Sequence, residues 1–359
     1  MVKQRGVALV MVLLVVALVA SLAVTMSGRL QNQVQRTINL QQAEQSYWYW
    51  QSAEALVRQV LLYELDDSDG VVNLAQNWAS QTGPYPVAGG EIAGDIKDLQ
   101  SCFNVNALNI SDADVLQQRK TQFKQLLIAL EFNDYNADVM VDSLVDWLDA
   151  DDVLSGTYGA ETPDYLGMPH PYRAANGNLQ HISELRLVRG YTATAYNRLR
   201  PYVCAIPGRN ELALNVNTID AEQPQLLVAI SSGNMPLSAA QAFLQQRPDA
   251  GYDNIERVMQ LPAFVQAANA SKNNKTGANN SQRRNSGGNG SNSNNGGADN
   301  DNGGADAGQG ATNGLPITVS SEYFELTASV RIADLQTRAT SIIQVRDGKA
   351  YTLYRAFGD

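Results

Sequence analysis

At 359 residues, 44% of them hydrophobic, the chain is too long for one small domain, and two or three units are expected. A net charge of −10 and a pI near 4.8 exclude a general affinity for nucleic acid or for an anionic membrane surface. With only two histidines and two cysteines, no zinc spacing, phosphate-binding glycine loop or nucleophile motif is present.

The chain opens with a basic leader containing Lys3 and Arg5, then runs through twenty residues, Val7 to Met26, broken only by Ser21 and Thr25. A helix of that length spans about 30 Å, the thickness of a bilayer core. The basic flank predicts that the rest of the chain lies on the far side of the membrane. Three fates fit the segment: a cleaved signal peptide ending near Ser21-Leu22-Ala23, a plain anchor, or a cut between Gly6 and Val7, ahead of the apolar run. Gly28 to Leu65 lacks proline and carries Leu30, Val34, Ile38, Leu56, Val60 and Leu61 at helical spacing. A helix is therefore predicted over 7–65, with 7–26 in the membrane. Its Tyr47-Trp48-Tyr49-Trp50 run points around the whole helix, so some of these rings must meet a covering sheet or a partner.

Residues 66–107 read as loop and strand, with turns at Gly83-Pro84 and Gly89-Gly90 and an alternating segment from Glu91 to Asn106. A repeat follows. Phe103-Asn104-Val105-Asn106-Ala107-Leu108 recurs as Leu214-Asn215-Val216-Asn217-Thr218-Ile219, each copy leading into a polar cap and an amphipathic helix. Two related helical units are predicted, at 108–213 and 214–265. Residues 266–314 contain no Leu, Ile, Val, Met or aromatic residue, and disorder is expected there. Strands resume at Ile317–Arg331 and Ala339–Val345, with a hairpin turn at Asp347-Gly348 before Tyr351–Tyr354, so 315–359 should complete the sheet begun before Cys102. Cys102 and Cys204 lie in extended runs beyond the membrane segment. They are read either as a disulfide, worth on the order of 4 kcal/mol for so long a loop, or as two buried thiols.

Neither His170 nor His181 belongs to a catalytic constellation; Ser183, beside His181, is a candidate helix cap. One ionic cluster stands out: Asp146, Asp149, Asp151 and Asp152, followed by Glu161 and Asp164. Hard oxygens gathered at a helix end and its loop are what calcium requires, although no leading Asp has Glu at position twelve as in an EF-hand. A solvated acidic loop is the other reading.

Gly6, the basic leader and the apolar helix beginning at once with Val7-Ala8-Leu9-Val10 resemble the leader of type IV pilins and pseudopilins, cut by a prepilin peptidase that methylates the new N-terminus. Most of that family carries Glu at the fifth mature position, where it pairs with the amine of the neighbouring subunit; here that position is Met11. Lacking that Glu suits a subunit with no neighbour above it, and Met11 is read as a tip determinant. The run LVDWLDADD…GAETPDYLG…PYRAAN…SELRLV further resembles the calcium-binding helical domain of K-type minor pseudopilins of type II secretion systems. The resemblance implies an α+β, pilin-like fold: a long transmembrane helix on an antiparallel sheet, with an inserted helical domain similar to a sterile alpha motif. It implies calcium held by Asp149, Asp151, Glu161 and Asp164, with Asp152 nearby. It implies partners, the I, J and H minor pseudopilins and the inner-membrane assembly platform, and a place at the pseudopilus tip facing the periplasm, without catalysis. A minor pilin of a type IV pilus and a membrane-anchored periplasmic calcium-binding enzyme are the alternatives.

Overall fold

A computed structural model describes residues 5–80, 83–270 and 314–358. In chain order, helix α1 (Arg5–Asp67) is followed by strands β1 (Tyr85–Val87), β2 (Gly90–Asp98) and β3 (Phe103–Asn104). Then come helices α2 (Ala113–Ala129), α3 (Asp134–Leu148), α4 (Thr162–Leu166) and α5 (Ala193–Leu199). Strands β4 (Val203–Cys204) and β5 (Leu214–Asn215) precede α6 (Gln225–Ile230), α7 (Leu237–Gln246), α8 (Ile255–Met259) and α9 (262–270). Strands β6 (Ile317–Thr318), β7 (Tyr323–Ile332), β8 (Leu335–Arg346) and β9 (Lys349–Phe357) close the chain.

The apolar N-terminal half of α1 touches no core: Leu9 and Met11 are each 64% exposed. It is the one helix among the described residues long and apolar enough to cross a membrane. Further on, Ser46, Trp50, Glu54, Val57 and Leu61 fall at spacings of three and four and form one stripe facing the sheet. The sheet is antiparallel, in the order β1-β2-β7-β8-β9. Strand β7 alternates strictly, so Phe324, Leu326, Ala328, Val330 and Ile332 meet Trp50 and Leu61 of α1. Of the four rings in the Tyr47–Trp50 run, Trp50 is buried against Phe357 while Trp48 is 66% exposed. Glu54, 1% exposed, ties α1 to the last strands. It accepts hydrogen bonds from Arg355 (2.8 and 2.9 Å), Thr352 Oγ1 (2.7 Å) and Ser341 Oγ (2.8 Å).

The two repeats are built alike. Asn104 Oδ1 accepts from the Asn106 amide, as Asn215 Oδ1 does from the Asn217 amide. The second asparagine of each copy then clamps a distant backbone in both directions: Asn106 on Leu179, Asn217 on Tyr252. Each copy also starts a two-residue parallel pair, β3 with β4 and β5 with β6. The two units share one continuous apolar core, from Phe103 to Ile317, because α2 packs directly on α6. Cys102 and Cys204 form a disulfide with Cα atoms 5.9 Å apart, closing the first unit where it rests on the outer face of the sheet with Tyr323 and Ile342. Buried Asp98, at the end of β2, accepts from Ser321, Thr218, Asn215 and the Gln100 amide, and so joins the sheet to the second unit.

Four details differ from the expectations. The segment from Glu91 to Asn106 is not one strand: β2 stops at Asp98, whose carboxylate caps a 3-10 turn, and Asn104 caps another. Ile317 pairs with Leu214 in the second unit rather than in the main sheet. Strands β7 and β8 form a tight hairpin through Ala333, at φ 48°, and Asp334, a pair without the usual turn signal. Residues 266–270 belong to α9, with Ala267 and Ala268 buried; the rest of the tract expected to be disordered, 271–313, lies outside the described residues.

Candidate metal centre

Helix α3 starts at an Asn133 cap and buries almost every side chain of its second half. Asp142 and Asp146 stand one turn apart on it, and Asp149 is its C-cap. Carboxylates at a helix C-terminus face the negative end of the macrodipole, so something other than the helix must compensate them. The loop returns to Glu161, the N-cap of α4, whose amide donates to Asp164 Oδ2 at 3.0 Å.

This return brings oxygens of Asp146, Asp149 and Glu161 all within 4.8 Å of one another. Asp146 is 0% and Glu161 2% exposed. Asp146 Oδ2, Asp149 Oδ1 and both carboxylate oxygens of Glu161 are buried without a hydrogen-bond partner among the described residues. None of the three forms an ion pair there. Burial raises the Asp149 carboxyl to about 6, aided by Asp151 and Asp146. It raises Glu161 to about 7, aided by Asp146, Asp149 and Asp152, and it also raises Asp146. Three converging carboxyls in a low-dielectric site either hold protons or share a cation.

Asn176, at φ 46°, stands at the far end of the loop. Its amide nitrogen donates to the Asp151 carbonyl (3.1 Å) and Asp152 Oδ1 (3.4 Å), leaving its Oδ1 buried and unpartnered. The loop fits only because it carries glycine where the acids press on it: a Cβ on Gly159 would lie 1.8 Å from Asp146 Oδ2. Arg189 Nη1 donates to the Gly159 carbonyl at 3.3 Å. Trp147 packs edge-on to Tyr165 at 5.1 Å and forms the apolar wall behind the site. Asp142, by contrast, is satisfied by Lys120 at 2.7 Å.

Of the residues expected to hold the ion, Asp149 and Glu161 belong to the cluster. Asp151, Asp152 and Asp164 stand outside it. Asp151 Oδ1 caps the Val153 amide at 2.8 Å, Asp152 receives Asn176, and Asp164 orients Glu161. The sequence ranking passed over Asp146 and Asn176; the signal for Asp146 was its place one turn before Asp149 on the same helix. His181, not Ser183, is the cap of the following 3-10 turn, its Nδ1 receiving the Ser183 amide, and His170 is exposed. The backbone of α1 runs unbroken through Gly6 and Val7.

Models of the family described as "Type II secretion system (T2SS), protein K" match residues 101–208 and 214–278, a division that follows the two repeats. The type II secretion system protein K of Aeromonas hydrophila is 42% identical over 270 residues, covering 73% of this chain and 81% of that protein. The chain belongs to the type II secretion system protein K family. The protein K of Pectobacterium carotovorum is 37% identical over 263 residues, covering 72% of this chain and 80% of that protein. Among solved structures, a chain of the GspK-GspI-GspJ complex from enterotoxigenic Escherichia coli superposes with a TM-score of 0.70 at 27% identity. The match covers 90% of this chain and 99% of that one. Membership in the K family makes the chain a minor pseudopilin of type II secretion, and its exposed apolar helix is that of a membrane-anchored periplasmic component.

Proposed function

We propose that this chain sits at the tip of the pseudopilus, in complex with the I and J minor pseudopilins and with H below them, and primes pseudopilus growth for export of folded proteins. The observation that carries this reading is the likeness, over 90% of this chain and 99% of the other, to a chain solved in complex with GspI and GspJ. Before assembly the chain spans the inner membrane through 7–26; prepilin peptidase cuts after Gly6, and the assembly platform draws the helix into the filament. Met11 leaves the chain without the carboxylate that neutralises a neighbour's amine, and the helical body beside the sheet leaves no room for a subunit above. The role is structural rather than catalytic.

Asp146, Asp149, Glu161 and Asn176 fit a calcium ion. Their donors are hard oxygens, five of them buried and unpartnered, and calcium takes six to eight such ligands. The ion would supply the missing counter-charge and pin the loop between α3 and the His181 turn. The test is co-expression of the full chain with the I and J subunits and the peptidase, followed by detergent extraction. Co-purification of all three, with Val7 as the first residue of this chain, is expected. A chain that purifies alone, or that begins at Met1 or beyond Ala23, refutes the proposal.

A further inference from the structure

A cleft of about 500 Å³ separates the first helical unit from the outer face of the sheet. Its walls carry three long cationic side chains: Lys97 from β2, Arg338 from β8 and Arg200 at the end of α5. None of the three forms an ion pair among the described residues. One acid, Glu325, shares the wall, opposite Lys97 across the β2–β7 pair. The cleft is therefore net positive on a chain whose total charge is −10. Its floor offers hydroxyls. Thr340 is only 7% exposed and its hydroxyl makes no hydrogen bond among the described residues, and the Tyr196 phenol lines the opposite wall. Positive groups gathered between low-dielectric walls focus their field into the gap.

The spacing of the cations identifies the kind of anion. Lys97 is in register with Glu325, and Glu325 with Ile342; Arg338 lies four residues from Ile342 along β8. Two strand spacings across and four residues along separate the Lys97 and Arg338 backbones by about 16 Å. A point anion meets one of these groups, whereas an extended acidic segment of about five residues reaches from one to the other. We infer that this cleft is a docking site for an extended, carboxylate-rich segment of a partner polypeptide. The inference is independent of the tip assignment and of the metal centre.

The experiment uses the detergent-solubilised full chain and fluorescein-labelled hexaglutamate, read by anisotropy, with hexaserine and inorganic phosphate as comparison probes. Saturable binding of hexaglutamate that weakens with salt is expected, with none of hexaserine. Each of Lys97→Gln, Arg200→Gln and Arg338→Gln should weaken it about threefold, the scale of one exposed charge pair, and the triple variant about thirtyfold. All three side chains reach solvent, and unfolding temperatures close to that of the parent chain confirm each variant. Unchanged binding in the triple variant overturns the inference. So does displacement of the peptide by equimolar phosphate, which would mark a point-anion site.

Discussion

Glu161→Gln separates a cation centre from an ordinary acidic loop, because its effect on stability should change sign with calcium. In chelator, the Glu161 carboxyl is raised by burial and by its acidic neighbours from 4.5 to about 7. At about 1.4 kcal/mol per tenfold, that displacement corresponds to about 3 kcal/mol. The sign follows from linkage. Below pH 4.5 both folded and unfolded chains are protonated there, and nothing is lost. Between 4.5 and 7 the unfolded chain ionises while the folded one holds its proton, so stability falls; above 7 the whole penalty stands. The cation-free protein should therefore be less stable at pH 8 than at pH 5, and Glu161→Gln should recover most of the difference at pH 8. Calcium reverses the order. At a hundredfold excess over its Kd it contributes about 2.7 kcal/mol, and at a thousandfold about 4.1 kcal/mol, to the parent chain, but little to a variant lacking a charged ligand. For a body the size of the two helical units, 3 kcal/mol corresponds to a Tm shift of roughly 6–12 °C. Thermal unfolding followed by tryptophan fluorescence, in calcium and in chelator at both pH values, measures all of this. If parent and variant respond to calcium identically at pH 8, Asp146, Asp149 and Glu161 do not hold the ion.

Three further perturbations probe the frame around that centre. Replacing both Cys102 and Cys204 by Ala opens a span of 102 residues and should cost about 4 kcal/mol in the chain-entropy model; a loss under about 1 kcal/mol in denaturant titration would deny the staple that role. Gly159→Ala drives a Cβ to 1.8 Å from Asp146 Oδ2, so it should abolish calcium-dependent stabilisation while leaving the sheet intact by circular dichroism. Glu54→Ala leaves the Arg355 guanidinium facing a buried void. Burial pushes the Glu54 carboxyl up, but the bonds from Arg355, Thr352 and Ser341 outweigh it and hold it below 4.5. Its contribution is thus present above the usual carboxylate range and lost as pH falls through the lowered value. A cost of about 3 kcal/mol at pH 7 that shrinks at pH 3 is expected in urea unfolding, and a pH-independent cost would refute the ionic account.

Much of the architecture was legible in residue order. The apolar run to Met26 and the proline-free stretch behind it are α1, because helical periodicity and bilayer length are both local properties. The Asn-Val-Asn repeat marked both helical units, since the first asparagine of each copy caps its own next turn. Asp347-Gly348 marked its hairpin because both residues take positive φ there. The Ala333-Asp334 hairpin was not legible: Asp334 without a glycine beside it is a weak turn signal, and ten cross-strand pairs from Tyr323↔Gln344 to Ile332↔Leu335 impose the turn. Likewise Ile317 looks like any strand residue, and only the neighbouring unit decides that it pairs with Leu214.

The candidate centre divides the same way. The sequence by itself placed a group of acids at a helix end and its loop, pointed to hard-cation chemistry, and put Asp149 and Glu161 among the candidate donors. It also carried a resemblance to K-type minor pseudopilins in the helical units. Only the tertiary structure decided which oxygens converge. Asp146 joins because a helix turn aims it at the returning loop. Asn176 becomes a candidate because a left-handed backbone leaves its carbonyl buried, and Asp164 drops out because its carboxylate is spent on the Glu161 amide. Charge and periodicity are written in the order of residues, whereas convergence and burial depend on where a distant segment comes to rest.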